Sequence, residues 1–256
     1  MPKLPGKGGG SDALISIETP VGVAQAVLEL PTAAPRGLLV LGHGAGGSIE
    51  APDLVAVTAA ARAVGFAVAR VRQPYSVAGR RAPAPARQLD TAWAAVLAAL
   101  VARVDQPALP TIVGGRSSGA RVACRTADAV GARGVLALAF PLHPPGRPER
   151  SRAAELVVGV PLLVVQGARD AFGTAAEFPP GVLVREIPRA DHRLVGPDVD
   201  AAVAGVVEWL VGTVTAPKSR AGNRVADLGV VTRQGSESGV RPKGDAGAGS
   251  TGEVGG

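Results

Sequence analysis

The chain has 256 residues, of which 46% are hydrophobic, 19% charged and 3% aromatic, and its formal net charge is +6. This length suits one domain with tails, and a body of about 200 residues can bury roughly 70% of its unfolded surface without a stabilising metal or disulfide. The charge would fit a nucleic-acid partner, but all four lysines lie in the tails and few aromatic side chains are available for base stacking, so the composition argues against one.

Strand-like and helical patterns alternate along most of the chain. Apolar runs predict eight strands, at 13–18, 21–30, 38–41, 66–71, 111–113, 135–140, 162–165 and 182–187. Helical periodicity predicts four helices, at 54–64, 89–104, 118–130 and 199–211. Two antiparallel strands followed by alternating units predict an α/β fold, with a mostly parallel central sheet and helices on both faces.

The two ends of the chain differ from this body. Residues 1–12 are polar and glycine-rich and lack the roughly 7 to 15 apolar residues of a signal peptide, so we expect a flexible N-terminus. Residues 216–256 contain ten glycines and no periodicity, which predicts a disordered tail after a domain at 13–215; a docking segment at its one apolar cluster, 228–231, is the alternative. No run approaches the roughly 20 apolar residues of a membrane span. A single cysteine, Cys124, completes the expectation of a soluble cytoplasmic protein without a membrane partner.

A Gly-x-Ser-x-Gly pentad at 115–119 stands between the fifth predicted strand and the helix that follows it. This order is typical of a nucleophile elbow, in which the chain turns sharply and exposes the serine. Glycines suit the turn because ordinary side chains would obstruct it. Such pentads are common by chance, so Ser117 becomes a candidate nucleophile only together with residues further along the chain.

The seventh and eighth predicted strands are each followed by a candidate catalytic residue, Asp170 and His192. Functional residues gather at the carboxyl edge of an open parallel sheet. In this interpretation His192 accepts the proton of Ser117, and Asp170 orients the imidazole. Asp191 is a weaker candidate, because a residue next to His192 in an extended loop points its side chain away from the ring.

The loop after the third predicted strand, residues 42–47, reads Gly-His-Gly-Ala-Gly-Gly. Glycines let backbone N–H groups approach a negatively charged oxygen, so we predict an oxyanion hole made by the backbone amides of Ala45 and Ser118. The same glycines spell Gly-x-Gly-x-x-Gly, which leaves a phosphate-binding loop as an alternative. Two features weaken it: Pro52 delays the next helix to about residue 54, and the next strand ends in Arg72 rather than an acid.

Four side chains around this edge are tentative substrate contacts, namely His43, Arg80, Arg81 and His143. The two arginines either hold an anionic substrate by bidentate hydrogen bonds or form a solvated basic loop. His143 precedes two prolines and is either a spare proton shuttle or a structural ring.

Taken together, these residues resemble the α/β-hydrolase superfamily, in a small lidless branch related to dienelactone hydrolase and to the testis-expressed and NSL-complex subunit proteins. The resemblance covers residues 15–214 and rests on the segments at 43–47, 79–81, 114–117, 140–146, 166–173 and 191–192. It implies a hydrolase fold with a Ser-Asp-His triad. Only 19 residues, 141–159, stand where many lipases insert a large helical lid, so we expect an open site. Dienelactone hydrolases use a cysteine nucleophile, and Ser117 therefore argues against dienelactone as the substrate.

The sequence thus predicts a serine hydrolase that cleaves a small or accessible acyl ester or thioester through an acyl-enzyme. No cofactor and no metal are predicted, and the expected partner is a small-molecule acyl substrate. The alternative is a catalytically silent domain of the same fold that serves as a protein interaction module. The presence of Ser117, Asp170 and His192 favours the enzyme, since an interaction module need not retain all three.

Overall fold

The computed structural model describes residues 13–46, 48–104, 106, 108–196 and 198–217. The predicted flexible N-terminus, 1–12, and nearly all of the predicted tail, 216–256, lie outside these residues. The described residues form eight strands: β1 (Ala13–Thr19), β2 (Gly22–Glu29), β3 (Gly37–Gly42), β4 (Phe66–Arg72), β5 (Thr111–Arg116), β6 (Gly134–Leu138), β7 (Leu162–Gly167) and β8 (Leu183–Ile187). They also form five α-helices: α1 (Pro52–Ala63), α2 (Pro74–Val77), α3 (Ala86–Val104), α4 (Ser118–Thr126) and α5 (Val199–Thr215).

All eight strands join one sheet in the order β1-β2-β4-β3-β5-β6-β7-β8. The pairs β1–β2 and β2–β4 are antiparallel, and every other neighbouring pair is parallel. The predicted α/β class with a mostly parallel sheet is therefore confirmed.

Helices cover both faces of the sheet because the strand side chains alternate between two apolar clusters. In β3, Leu38 and Val40 join the cluster that contains α3 and α4, whereas Leu39 and Leu41 join the cluster that contains α1 and α5. Successive side chains of a strand point to opposite faces, so a continuous apolar run is what a doubly covered strand requires. Each fully buried leucine contributes roughly 1.5–3 kcal/mol to stability.

The strand order reverses direction at β3, which fixes where a site forms. From β3 the chain crosses through α1 to β4 on one side, while β5 pairs on the other side of β3. In an open α/β sheet, the carboxyl ends of the strands at such a switch point are where ligands bind. Residues 43–46 and Ser117 follow the carboxyl ends of β3 and β5 at this switch point.

Local differences from the prediction have simple physical causes. Helix α1 begins at Pro52 rather than near residue 54, because a proline in the first turn removes only an N–H group that has no intrahelical acceptor. Helix α4 ends at Thr126 rather than at 130; Ala127 stays buried although the chain has left the helix, so apolar spacing overestimated its length.

Residues 141–159 contain two short 3₁₀ turns, Pro148–Arg150 and Ala153–Leu156, and no α-helix. As expected, this described segment forms no large lid. Among the described residues, no helix is long and apolar enough to cross a membrane.

Candidate active site

Ser117 occupies a tight turn between β5 and α4. Its backbone has φ 52° and ψ −110°, a conformation that residues other than glycine adopt rarely and that costs on the order of 1–3 kcal/mol. A hydrogen bond of 2.9 Å from the Ser117 N–H to the Leu138 carbonyl holds the turn. The flanking glycines are needed for close approach, because a Cβ on Gly115 or Gly119 would lie 2.5 or 2.4 Å from the Gly42 carbonyl oxygen.

The three predicted catalytic side chains lie in contact. His192 Nε2 is 3.0 Å from Ser117 Oγ, and His192 Nδ1 is 2.8 Å from Asp170 Oδ2. An ionised carboxylate can only accept a hydrogen bond, so Nδ1 carries the proton and Nε2 accepts from the serine hydroxyl. The ring is thus held in the tautomer that a general base requires.

The Asp170 carboxylate is surrounded by donors. Its side chain has no exposed surface. Oδ1 accepts the Phe172 N–H at 2.8 Å, and Oδ2 accepts the Gln166 side-chain amide at 2.8 Å. The same Gln166 nitrogen also donates to the Gly173 carbonyl at 2.7 Å, so one buried amide orients both the carboxylate and its loop. In the sequence, Gln166 is only part of a motif; its position near the end of β7, four residues before Asp170, is the signal that could have revealed this contact.

The imidazole of His192 is also supported on one face. The Phe172 ring packs against it with centroids 4.2 Å apart and planes inclined by 32°. Asp191, the weaker candidate, instead binds Arg193 at 2.9 Å. The hydrogen bond from that guanidinium lowers the pKa of the Asp191 carboxyl below its ordinary value. Of the two acids, only Asp170 reaches the ring.

His43, a tentative substrate contact, is turned towards the protein. Its Nδ1–H donates to the Gly44 carbonyl at 2.6 Å, and its Nε2 accepts the Gln73 N–H at 3.2 Å. The residue is 3% exposed, and burial lowers its pKa. In this geometry the ring is neutral, because Nε2 accepts a hydrogen bond. A ring with both nitrogens occupied offers no polar atom to a substrate, so this geometry favours a structural role for His43 as a clamp on the glycine-rich loop. The Tyr75 hydroxyl adds a second clamp by donating to the Ala45 carbonyl at 2.6 Å.

The two amides predicted for the oxyanion hole belong to segments that meet at the serine. A Cβ placed on Gly44 would lie 3.6 Å from Ser117 Cβ, so the loop that carries Ala45 passes directly beside the nucleophile. Ser118 is the first residue of α4, where an N–H has no intrahelical acceptor. Gly47, the last glycine of the alternative phosphate motif, lies outside the described residues.

The remaining tentative contacts differ from one another. The His143 ring binds the Pro144 carbonyl through Nδ1 and the Glu177 carboxylate through Nε2, both at 2.9 Å. Since both partners are acceptors, both nitrogens are protonated when these bonds form, and the bonds to Pro144 and Glu177 raise the pKa of His143. This geometry favours the structural interpretation of the ring. Arg80 and Arg81 are exposed in the loop between α2 and α3.

The site brings a hydroxyl, an imidazole and a carboxylate into contact. Cys124 belongs elsewhere: it is 4% exposed in the core, and burial raises the pKa of its thiol to about 12. Within the described part of the chain, no group of three His, Cys, Asp or Glu side chains is placed to hold a metal ion. The arrangement of Ser117, His192 and Asp170 can transfer an acyl group by nucleophilic attack.

Comparisons with known proteins point the same way. A family model described as an alpha/beta hydrolase domain matches residues 35–200. A lidless serine hydrolase of known structure from Xanthomonas campestris is similar, with 20% identity, a TM-score of 0.62, and coverage of 84% of this chain and 97% of that one.

Two further solved structures resemble the chain. A dienelactone hydrolase from Anabaena variabilis has 19% identity and a TM-score of 0.64, covering 79% of this chain and 97% of its own. The esterase domain of a Rhodothermus marinus protein has 15% identity and a TM-score of 0.60, covering 78% of this chain and 97% of its own. At these identities the likeness is one of fold. No curated protein sequence matches the chain.

Proposed function

Because the chain belongs to the α/β-hydrolase family, we propose that it is a serine hydrolase that cleaves small or accessible acyl esters or thioesters. Ser117 is the nucleophile, His192 the general base and acid, and Asp170 the residue that orients the imidazole. The observation that carries the proposal is the pair of contacts on His192, 3.0 Å to Ser117 Oγ and 2.8 Å to Asp170 Oδ2.

The first half-reaction forms an acyl-enzyme. His192 Nε2 takes the hydroxyl proton as Ser117 Oγ attacks the acyl carbon, and the carbonyl oxygen becomes an oxyanion. The backbone amides of Ala45 and Ser118 donate to this oxyanion, which is stabilised more than the ground-state carbonyl. As the tetrahedral intermediate collapses, the imidazolium gives its proton to the leaving alcohol or thiol, and Asp170 stabilises the positive charge on the ring until then.

The second half-reaction repeats these roles with water. His192 takes a proton from the water that attacks the acyl carbon, and the proton then returns to Ser117 Oγ as the carboxylic acid leaves. The segment at 141–159 has no α-helix that could form a large lid, which supports an acyl substrate that is either small or presented on a larger molecule. A small-molecule acyl compound is the expected substrate.

The test combines an active-site probe with substrate hydrolysis. A fluorophosphonate reports an activated serine without a guess about substrate, and p-nitrophenyl acetate reports acyl turnover. We expect stoichiometric labelling and hydrolysis by the full chain, and neither by Ser117→Ala. Asp170→Asn should fold normally and lose roughly 10⁴-fold in kcat, because the imidazole would be held in the wrong tautomer.

Ser118→Ala provides a matched control, since it removes the neighbouring hydroxyl and leaves the backbone amide in place. The fluorophosphonate should label this variant, and the variant should hydrolyse p-nitrophenyl acetate, nearly as in the wild type. A wild-type chain that is folded by circular dichroism yet neither labels nor hydrolyses the ester would contradict the proposal. That result would favour the interaction module.

A further inference from the structure

Arg116 stands immediately before the nucleophile, and its side chain reaches three other segments. Its Nη2 donates to the His192 carbonyl at 2.8 Å, and its Nε lies 3.0 Å from Asp53 Oδ2 in the first turn of α1. A Cβ placed on Gly44 would lie 3.1 Å from Nη1, so the guanidinium also packs against the glycine-rich loop. One side chain therefore contacts the loop of the general base, the loop beside the nucleophile, and α1.

The partner of Arg116 in α1 is buried and has few alternatives. Asp53 is 4% exposed, and its other oxygen accepts the Leu54 N–H at 3.0 Å. Burial raises the pKa of the Asp53 carboxyl, while the Arg116 charge acts in the opposite direction. The contact to Oδ2 is a close ion pair rather than an aligned hydrogen bond. A buried carboxylate without its cation would be strongly destabilising, so Asp53 fixes where the guanidinium sits.

The loop that Arg116 holds contains unusual backbone. Arg189 and Leu194, on either side of His192, have φ of 63° and 50°, in the left-handed region that such residues seldom adopt. A segment with two such residues keeps its shape only when its surroundings determine it. The hydrogen bond to the His192 carbonyl crosses from the elbow to the middle of this loop, next to the residue whose ring must stay within bonding distance of Ser117.

We infer that Arg116 is a positioning residue for the reaction. This inference rests on the proposed function. The guanidinium of Arg116 holds the loop of His192 at a fixed distance from the turn that carries Ser117, and Asp53 in turn holds the guanidinium. Arg116 does not touch the reacting atoms. It keeps the His192 backbone at the distance at which Nε2 meets Ser117 Oγ.

The consequence is a specific kinetic pattern. A displacement of about 1 Å at a catalytic group can cost on the order of 10²-fold in rate. We therefore expect Arg116→Lys to lower kcat about 10- to 100-fold and to leave KM within about twofold, because substrate contacts are unchanged. Lysine keeps the charge but loses the planar fork that reaches Asp53 and the His192 carbonyl together.

Arg125→Lys is the matched control. Arg125 has a side chain 19% exposed, against 16% for Arg116, and it pairs with Asp90 in α3 and with Glu155. The loop that carries His192 instead packs into the cluster that contains α1 and α5. Arg125→Lys should lower the melting temperature at least as much as Arg116→Lys does, while kcat stays within about twofold of the wild type. The double variant Asp53→Asn/Arg116→Gln leaves no orphan buried charge, so it should fold and still show the loss of kcat.

Two readouts keep this inference separate from the proposed function. Fluorophosphonate labelling of the wild type tests the function alone. Amide hydrogen exchange of the 188–195 peptide tests the tether in any folded protein, active or not, and it should accelerate in Arg116→Lys but not in Arg125→Lys. Unchanged exchange and unchanged kcat in both Arg116 variants, or a kcat loss equal to that of Arg125→Lys, would overturn the inference.

Discussion

Two loops at the same edge of the sheet are built in opposite ways. The loop after β7, which carries Asp170 and Phe172, is tied down by hydrogen bonds from Gln166, from its own backbone and from His143. The loop between α2 and α3, which carries Arg80 and Arg81, is almost entirely exposed. The first loop is held rigidly enough to position a catalytic group. The second loop can attract charged ligands only through solvent-exposed guanidinium groups, whose field is screened by salt.

The difference separates two kinds of polar residue. In the first loop every polar atom of the Asp170 carboxylate has a donor, so removing a donor should change the chemical step. In the second loop the guanidinium groups face solvent, so removing them should change only the attraction of charged ligands. Three variants, one of them with two substitutions, test this distinction, and their expected effects decrease in the order given.

The largest effect is expected for Gln166→Leu. This variant keeps the volume of the side chain but removes the donor to Asp170 Oδ2. A hydrogen bond to a charged group is worth roughly 1.5–3 kcal/mol, so kcat for p-nitrophenyl acetate should fall roughly 10- to 100-fold. An unchanged kcat would mean that the Phe172 N–H and His192 alone hold the carboxylate.

A smaller effect, on stability rather than rate, is expected for His143→Gln. The bonds to Pro144 and Glu177 raise the pKa of His143, and hydrogen bonds to Thr174 and His143 lower that of Glu177. The stabilisation that comes from the raised pKa of His143 is fully present below the ordinary histidine pKa of about 6.5, and it is lost as pH rises through the pKa of the folded state. The stabilisation that comes from the lowered pKa of Glu177 is present above the ordinary glutamate pKa of about 4.3, and it is lost as pH falls through the pKa of the folded state.

The advantage of the wild type over His143→Gln should therefore peak near pH 5–6 and shrink on both sides. Glu177 is 41% exposed, so solvent screening limits the pair to at most about 1 kcal/mol, or about 2–4 °C in Tm for a domain of this size. Thermal melts of both proteins from pH 4 to pH 9 provide the measurement. A difference independent of pH would show that the ring contributes packing rather than charge.

The smallest effect is expected for the double variant Arg80→Gln/Arg81→Gln. If these arginines attract anionic substrates, KM for a p-nitrophenyl ester bearing a carboxylate should rise about two- to fivefold, with kcat and neutral esters unaffected. The preference should weaken as salt rises, because the Debye length is only about 8 Å at physiological ionic strength.

The control for this variant is Arg36→Gln/Arg133→Gln, which removes the same net charge at the opposite edge of the sheet. Arg36 precedes β3 and Arg133 precedes β6. Equal rises in KM for both double variants would indicate a general effect of net charge. Equal losses for neutral and anionic esters in the Arg80/Arg81 variant would indicate a structural role for that loop.

The elements that the sequence predicted well are those with local signatures. The eight strands and the alternation of strands with helices follow from apolar runs, and the α/β-hydrolase fold is confirmed. The three residues Ser117, Asp170 and His192 could be named because each follows a strand of a parallel sheet. Their catalytic roles stay a prediction, although the structure brings the three side chains together.

The supporting contacts could not be read in the same way, because they join residues far apart in the chain. His43 accepts a hydrogen bond from Gln73, which lies 30 positions away, and His143 is hydrogen-bonded to Glu177, which lies 34 positions away. Neither pair has a characteristic spacing, so the sequence supports only a tentative substrate contact for both rings and leaves a structural role of His143 open. The four residues of α2 are likewise too few to show helical periodicity.

The packing of β3 against the elbow also sets how this protein can be diversified. Gly42, Gly115 and Gly119 approach so closely that a Cβ on either elbow glycine would meet backbone within 2.5 Å. Backbone cannot yield as a flexible side chain can, so we expect a combinatorial library that varies Gly115 or Gly119 to consist largely of misfolded clones. Randomisation belongs instead in the exposed loop at 78–85, where we expect changes of size and charge to leave the turn at Ser117 intact.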